Sequence, residues 1–358
     1  MKAIVLPRGK AVPELRDWPP PDPAGASEVM LRTVEVGICG TDALLLEGVE
    51  GAPPPGADGL VLGHEGLFEV VSAGEDHRLV TGDLVVTSVR WPDPRPCPSC
   101  AAGRPDLCVN GQWTEHGIRG RHGFMREFWS TDASRLEIVP RHLRGVAVLL
   151  EPLSVVVKGL ETVAAVESVR AGRGDRAVVL GAGPVGILAA CCLRLEGRSV
   201  LVMDRVGHDS LKHRTLTELG AEYARVGDLG RSGRLGSLVA DADVVVEAAG
   251  APQTLKTVLS SVKANGVVLV LGTGEHAWPT SVDLNAAARV LVQENKTIFG
   301  SVNASPVHLR RAVGLLGDLT ARWPHALHGM IRRFPPADFM RALDPAPDSH
   351  VKAVISFE

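Results

Sequence analysis

The sequence predicts an α/β chain in two parts, a β-rich region followed by a doubly wound parallel sheet. Two observations carry this. Residues 1–150 are rich in Gly and Pro and hold short apolar runs such as EVMLRTVEVG, GDLVVTSVRW and REFWSTDASRLEIVP, which read as short strands joined by turns. From about residue 155 continuous apolar strands alternate with helical stretches, the pattern of a parallel sheet covered on both faces. The length of 358 residues fits two domains of ordinary size.

In chain order, MKAIVLP reads as an edge strand ending at Pro7, with too short an apolar stretch for a signal peptide. In the second part DRAVVLG is a strand. PVGILAACCLRLEG is a helix with Pro184 in its first turn and Gly197 closing it. RSVLVMD, ADVVVEAAG, GVVLVLG and KTIFGSV are further strands, with helical PQTLKTVLSSVKANG among them. SPVHLRRAVGLLGDLTARW is a helix, and the tail SHVKAVISFE is a strand that returns to the first part. The division predicted is residues 1–155 completed by 305–358, with 156–304 as the nucleotide half.

The 38 basic and 41 acidic residues leave a net charge of -3, and no block of Lys and Arg marks a nucleic-acid surface. No apolar run reaches the roughly 18 residues of a membrane helix. A cytoplasmic protein is expected. In that compartment closely spaced cysteines are metal ligands or buried thiols rather than disulfides. Cys191 and Cys192 fall in an apolar helix pattern and read as core.

VVLGAGPVGILA places Gly181-x-Gly183-x-x-Gly186 between a strand and a helix, the context a dinucleotide fingerprint needs. Gly181 permits the tight turn, Gly183 lets a pyrophosphate approach the backbone, and Gly186 lets helix and strand pack. With Pro184 and Val185 they form a helix N-terminus that attracts anions. Asp204 ends the next strand, placed to accept hydrogen bonds from the adenosine ribose, which favours NAD over NADP; Arg205 follows it and offsets that preference.

LVLGHEGLFEVV, residues 60–71, is nearly all apolar yet carries His64 and Glu65. Read as a buried strand, it must find a counter-ion or metal for them, because an unpaired buried charge costs several kcal/mol. Cys39 and Glu151 lie in other apolar stretches. A Cys, His and carboxylate set suits Zn²⁺ with a position left for water or substrate.

GICGTD, GHE, EPLSVVVKGLE and the glycine fingerprint, in this order, resemble the zinc-dependent medium-chain dehydrogenase family over essentially the whole chain. VLGHE, TEHGIRGRHGFMREF, LLEPLS and GSVN resemble its glucose (aldose) 1-dehydrogenase branch. The resemblance implies a GroES-like catalytic domain plus a Rossmann domain, and a homodimer or homotetramer, with GVVLVLG offering an edge for assembly. It implies catalytic zinc on Cys39 and His64, with Glu65 and Glu151 as interchangeable or water-bridged ligands. Asp42 matches the residue that orients the ligand histidine, and Thr41 matches the hydroxyl that relays the substrate proton. Glu115 and Asn303 match residues that contact sugar hydroxyls, Asn303 also reaching the nicotinamide. Arg90 is a third candidate, and Trp91 and Trp113 are candidates for stacking. The expected reaction is oxidation of a sugar hydroxyl, an aldose giving a lactone, with hydride transfer to NAD or NADP. The alternatives are a zinc dehydrogenase of another polyol, an amino-cyclitol or a secondary alcohol, and a non-catalytic dinucleotide-binding protein.

Two departures from the family pattern stand out. Phe68 replaces a glycine that commonly follows GHE. In the lobe that carries a structural zinc in relatives, Cys97, Cys100 and Cys108 match three ligands, but Pro94 takes the place of the first cysteine, leaving Asp93 as the candidate fourth ligand.

Overall fold

A computed structural model describes all residues except 22–27, 50, 75–77, 171, 230–232, 275–280 and 344–349. Six strands, Arg176–Leu180, Ser199–Asp204, Glu222–Arg225, Val244–Glu247, Val267–Val270 and Thr297–Gly300, form one parallel sheet. Across the sheet the third of these is outermost, followed by the second, first, fourth, fifth and sixth. The direction of winding therefore reverses beside Arg176–Leu180, and the crevice this opens lies at the C-terminal end of that strand. Val178, Val179, Val245 and Val246 are wholly buried because helices cover both faces. GVVLVLG is not an edge: Val267–Val270 pairs on both sides, with Val244–Glu247 and Thr297–Gly300, so its backbone groups are already used. Thr297–Gly300 is the edge there.

In the β-rich part the central strand is Glu28–Gly37. It pairs antiparallel with Glu65–Ser72 on one side, and with Phe128–Asp132 and Lys352–Ser356 on the other. The tail strand is thus part of the same sheet as the central strand. The N-terminal strand Lys2–Pro7 is not at an edge; it lies between Glu14–Asp17 and Gly59–Val61, Pro7 standing at its end opposite Gly59. The reading of residues 60–71 as one strand is also corrected. The run breaks at Leu62–His64, where Gly63 takes a φ of 86° that a side chain would resist.

Phe68 is fully buried and packs edge-to-face on Phe124 and Trp129 at ring distances of 4.9 and 4.8 Å. Room for it comes from Gly66, where an added Cβ would stand 2.1 Å from the Phe68 ring. The large side chain therefore leaves the His64–Glu65 end of the strand in place.

Helix Leu150–Ser168 is the seam of the molecule. Its Leu153, Val156, Leu160 and Val163 belong to one core with Val34 and Leu67 of the first sheet and Val179, Val246 and Leu269 of the parallel sheet. Cys191 and Cys192 lie in the same core, and burial pushes the Cys191 thiol up to about 12. Among the described residues no helix is long and apolar enough to cross a membrane.

Candidate active site

Cys39 follows the central strand and caps helix Gly40–Leu46 in an extended conformation. Its N–H donates to Asp42 Oδ2 at 2.9 Å, and its thiol lies 3.8 Å from Thr41 Oγ1. Glu65 reaches the same point from the adjacent strand, where it pairs with Gly37, and His64 from the break just before it. One ligand atom from each of Cys39, His64 and Glu65 lies within 4.8 Å of the others. Glu151, second residue of the seam helix, stands outside this tight group. Burial and the neighbouring Glu65 charge nevertheless push its carboxyl up to about 7.

One participant was not foreseen. Lys352, 1% exposed, sends its ammonium into the hollow, pairs with Glu65 and donates to the Ile38 carbonyl at 2.8 Å. Gly37 makes the space, since a Cβ there would lie 2.2 Å from Glu65 Oε2 and 2.7 Å from Lys352 Cε. The signal in the sequence was a lysine inside the apolar strand VKAVIS. Burial opposes the charge on Lys352, but Glu65 and Cys39 outweigh it and hold its pKa above the ordinary value.

The hollow gathers three carboxyl groups (Asp42, Glu65, Glu151), a thiol, an imidazole and the Lys352 ammonium in one buried space. His64 Nδ1 and Asp42 Oδ1 face each other at 3.9 Å, both buried and without a hydrogen bond. Burial disfavours a charged imidazole, yet Cys39 and Asp42 hold the His64 pKa well above its usual value. The set fits a divalent cation, which the Cys39 thiolate, a His64 imidazole nitrogen and a Glu65 carboxylate oxygen would hold, with Asp42 facing the His64 Nδ1. Asp42→Asn is expected to weaken zinc affinity about 10–100-fold. Competition with a chromophoric chelator measures it, and an unchanged affinity would deny Asp42 the orienting role.

The sulfur atoms of Cys97, Cys100 and Cys108 form a second group within 4.8 Å of one another. The Cys100 and Val109 N–H groups hold the Cys97 thiol down at about 6, whereas burial pushes Cys100 up to about 11. Asp93 is not in this group, and its Oδ1 accepts the Arg95 N–H at 2.7 Å.

In the glycine loop Gly181 has a φ of 98°, and a Cβ on it would meet Ala249 N at 2.9 Å. At Gly186 a Cβ would lie 1.9 Å from Gly181 O, whereas at Gly183 it would meet nothing within 4 Å. Gly183 therefore faces open space at the start of helix Pro184–Leu195, and Pro184 and Val185 form its first turn. Asp204 Oδ2 accepts the Ala182 N–H at 2.6 Å and stands 3.6 Å from Lys212 Nζ, while Oδ1 accepts the Arg205 N–H at 2.6 Å.

The three polar candidates for substrate contact meet. Glu115 Oε1 accepts from Arg90 Nε at 2.9 Å and from Asn303 Nδ2 at 2.7 Å. Arg90 lies 3.9 Å over the Trp113 ring. Asn303 follows the last parallel strand in a left-handed conformation, φ 59°, so this contact crosses between the two halves. Lys158 of the seam helix pins the crossing, donating to the Val302 carbonyl at 2.8 Å and pairing with Asp106 at 2.9 Å. Gly117, two residues after Glu115, packs on the backbone of Gly63 next to His64, where an added Cβ would lie 2.3 Å from Gly63 O, so this strand runs alongside the hollow.

A β-rich part carrying a Cys/His/Glu hollow, joined to a parallel sheet with a glycine-rich loop at its winding reversal, defines the medium-chain dehydrogenase class. Residues 25–141 match the family described as Alcohol dehydrogenase GroES-like domain, and residues 144–357 match Glucose dehydrogenase C-terminus. The chain is 39% identical over 336 residues to a glucose 1-dehydrogenase of Methanocella arvoryzae, covering 93% of each. It is 41% identical over 328 residues to one of Thermoproteus tenax, covering 89% of this chain and 88% of that protein. A Haloferax mediterranei glucose dehydrogenase, solved in complex with NADP, Zn and gluconolactone, superposes with a TM-score of 0.91 at 30% identity, over 100% of this chain and 99% of that one. The chain belongs to the glucose dehydrogenase branch of the zinc-dependent medium-chain dehydrogenase family.

Proposed function

We propose that the protein is a zinc-dependent glucose 1-dehydrogenase that oxidises the aldose to its lactone with NAD(P). The observation that carries this is the Glu115–Arg90–Asn303 cluster beside the Cys39–His64–Glu65 hollow. A simple alcohol needs no such set of polar groups, whereas a sugar with several hydroxyls does. Residues 1–155 with 305–358 shape the substrate side, and 156–304 the nucleotide side.

Cys39, His64 and Glu65, with Glu151 in reserve, would hold the zinc, and Gly181, Gly183, Pro184, Val185 and Gly186 the pyrophosphate. When bound, zinc supplies Lewis acidity toward a hydroxyl oxygen, and the nicotinamide supplies the hydride acceptor. The chain orients the sugar and moves its proton. Among the described residues both protein hydrogen bonds to Glu115 fall on Oε1, so Oε2 is the oxygen that meets a sugar hydroxyl. Asn303 and Arg90 fix that carboxylate, and Asn303 also stands on the nicotinamide side. Thr41 Oγ1, beside Cys39 Sγ, is the hydroxyl that passes the proton outward. Asp204 favours a free adenosine ribose, while Arg205 and Lys212 at the same strand end supply cations for a 2′-phosphate. Both cofactors are therefore expected to serve. Cys97, Cys100 and Cys108 would hold a second, structural zinc, with Asp93 as the candidate fourth ligand. Leu284 and Val292, 77% and 78% exposed on the helix before the edge strand Thr297–Gly300, support assembly into a homodimer or homotetramer through that edge.

Turnover of glucose with NAD and with NADP, before and after zinc is stripped by a chelator and restored, tests the proposal. Lactone formation that vanishes on stripping and returns with zinc is expected. Full turnover in zinc-free protein, or a panel of aldoses left unoxidised, defeats it.

A further inference from the structure

The turn Pro105–Leu107 lies between Cys100 and Cys108, and the side chain of its Asp106 is wholly buried. Cations fill this carboxylate. Arg104 takes both oxygens, Nε donating to Oδ1 at 3.1 Å and Nη2 to Oδ2 at 2.9 Å, and Lys158 Nζ stands 2.9 Å from Oδ2. The Asp106 carbonyl is used as well, accepting from Arg90 Nη1 at 3.4 Å. A buried ion pair adds little net stability, because desolvation offsets the attraction, but it fixes whatever else its two ends hold.

Here both ends lead to one atom. On one side Arg90 Nε donates to Glu115 Oε1 at 2.9 Å. On the other, Lys158 donates to the Val302 carbonyl at 2.8 Å, and the next residue, Asn303, donates from Nδ2 to the same Glu115 Oε1 at 2.7 Å. Asp106, Arg90, Glu115, Asn303, Val302 and Lys158 thus close a ring, with Asp106 opposite Glu115. An ammonium carries three donors in no fixed plane, so Lys158 can serve acceptors on two separate segments at once. Asn303 stands at φ 59°, uncommon for a residue with a side chain, and the Lys158 bond fixes the peptide that leads into it.

From this ring we propose that Lys158 and Asp106 are positioning residues for sugar recognition. Lys158, held by Asp106, fixes the peptide between Val302 and Asn303 so that Asn303 reaches Glu115, and the segment that carries the three cysteines thereby sets the aim of the Glu115 carboxylate. The inference rests on the reading of Glu115, Arg90 and Asn303 as the sugar contacts. Lys158 and Asp106 act through those residues and not on the reacting atoms.

A double-mutant cycle on the zinc-loaded enzyme tests this, with kcat/KM for glucose as the readout. Lys158→Met keeps most of the side chain's volume and leaves Asp106 its two bonds from Arg104. It is expected to lower kcat/KM about tenfold, mainly through KM, and Lys158→Arg, which keeps the charge, is expected to recover part of the loss. Added to Asn303→Ala, Lys158→Met should cost little more than Asn303→Ala alone, because both changes remove one linkage. A general loosening of the fold would multiply the two losses instead, and that result overturns the proposal. Wild-type kcat/KM in Lys158→Met overturns it too. Should Lys158→Met not fold, Lys158→Gln runs the same cycle, keeping a neutral donor for Asp106 on a shorter arm. Glucose turnover by the wild type with multiplied losses sinks the role of Lys158 alone, whereas a wild type that oxidises no aldose sinks the sugar reading and this one with it.

Discussion

Lys352→Met is expected to cost the zinc-free protein about 3–5 kcal/mol of stability, the usual penalty for leaving one partner of a buried ion pair uncompensated. The partner is Glu65, 2% exposed, with Asp42 and Glu151 close by. Removing the ammonium leaves only acids and a thiol around a histidine. Methionine keeps most of the lysine's volume, so the change isolates charge from packing. The unfolding midpoint of chelator-treated protein should fall by several degrees, while added zinc should recover much of the loss by supplying the missing positive charge. An unfolding midpoint equal to wild type would mean that Lys352 does not carry the charge balance of the hollow. Gly37→Ala should act on the same pair by a different route, since its methyl would collide with Glu65 and Lys352.

Glu115→Ala is expected to lower kcat/KM for glucose about 10- to 100-fold, the range set by hydrogen bonds to a charged group of about 1.5–3 kcal/mol. The variant also leaves Arg90, 7% exposed, without its anion and frees Asn303 from its only side-chain partner among the described residues. Zinc content should stay near wild type, which separates lost sugar contact from a damaged fold. Glu115→Gln keeps the shape and one acceptor, so its loss should be smaller. A sugar panel run on both variants decides the matter: an equal loss for glucose and for a simple alcohol would mean that Glu115 holds the structure rather than the sugar.

Much of the site was legible because its chemistry clashes with its surroundings. Cys39, His64, Glu65 and Glu151 each sit in apolar stretches, where polar side chains must have a purpose. The glycine loop was legible because strand, turn and helix signals stand side by side in the chain. The misread elements were those whose role depends on neighbours. Lys2–Pro7 has the composition of an edge strand, yet Glu14–Asp17 and Gly59–Val61 cover both its sides. GVVLVLG was offered as an edge, yet the strand after it closes the sheet. Lys352 went unnoticed because its partner Glu65 lies far away in the chain, and one lysine in a short strand looks like any other.

Taken alone, the sequence determined the types of element, the order of the two halves and which residues have the chemistry to bind metal, nucleotide and sugar. These follow from local composition, because periodicity and turn residues act over a few positions. The tertiary structure decided which of those residues meet. It brought Glu115 to Asn303 across the two halves and set Lys352 against Glu65. Such meetings depend on strand order and helix packing, which no short stretch of chain encodes, because burial energy is gained only when distant segments close on one another.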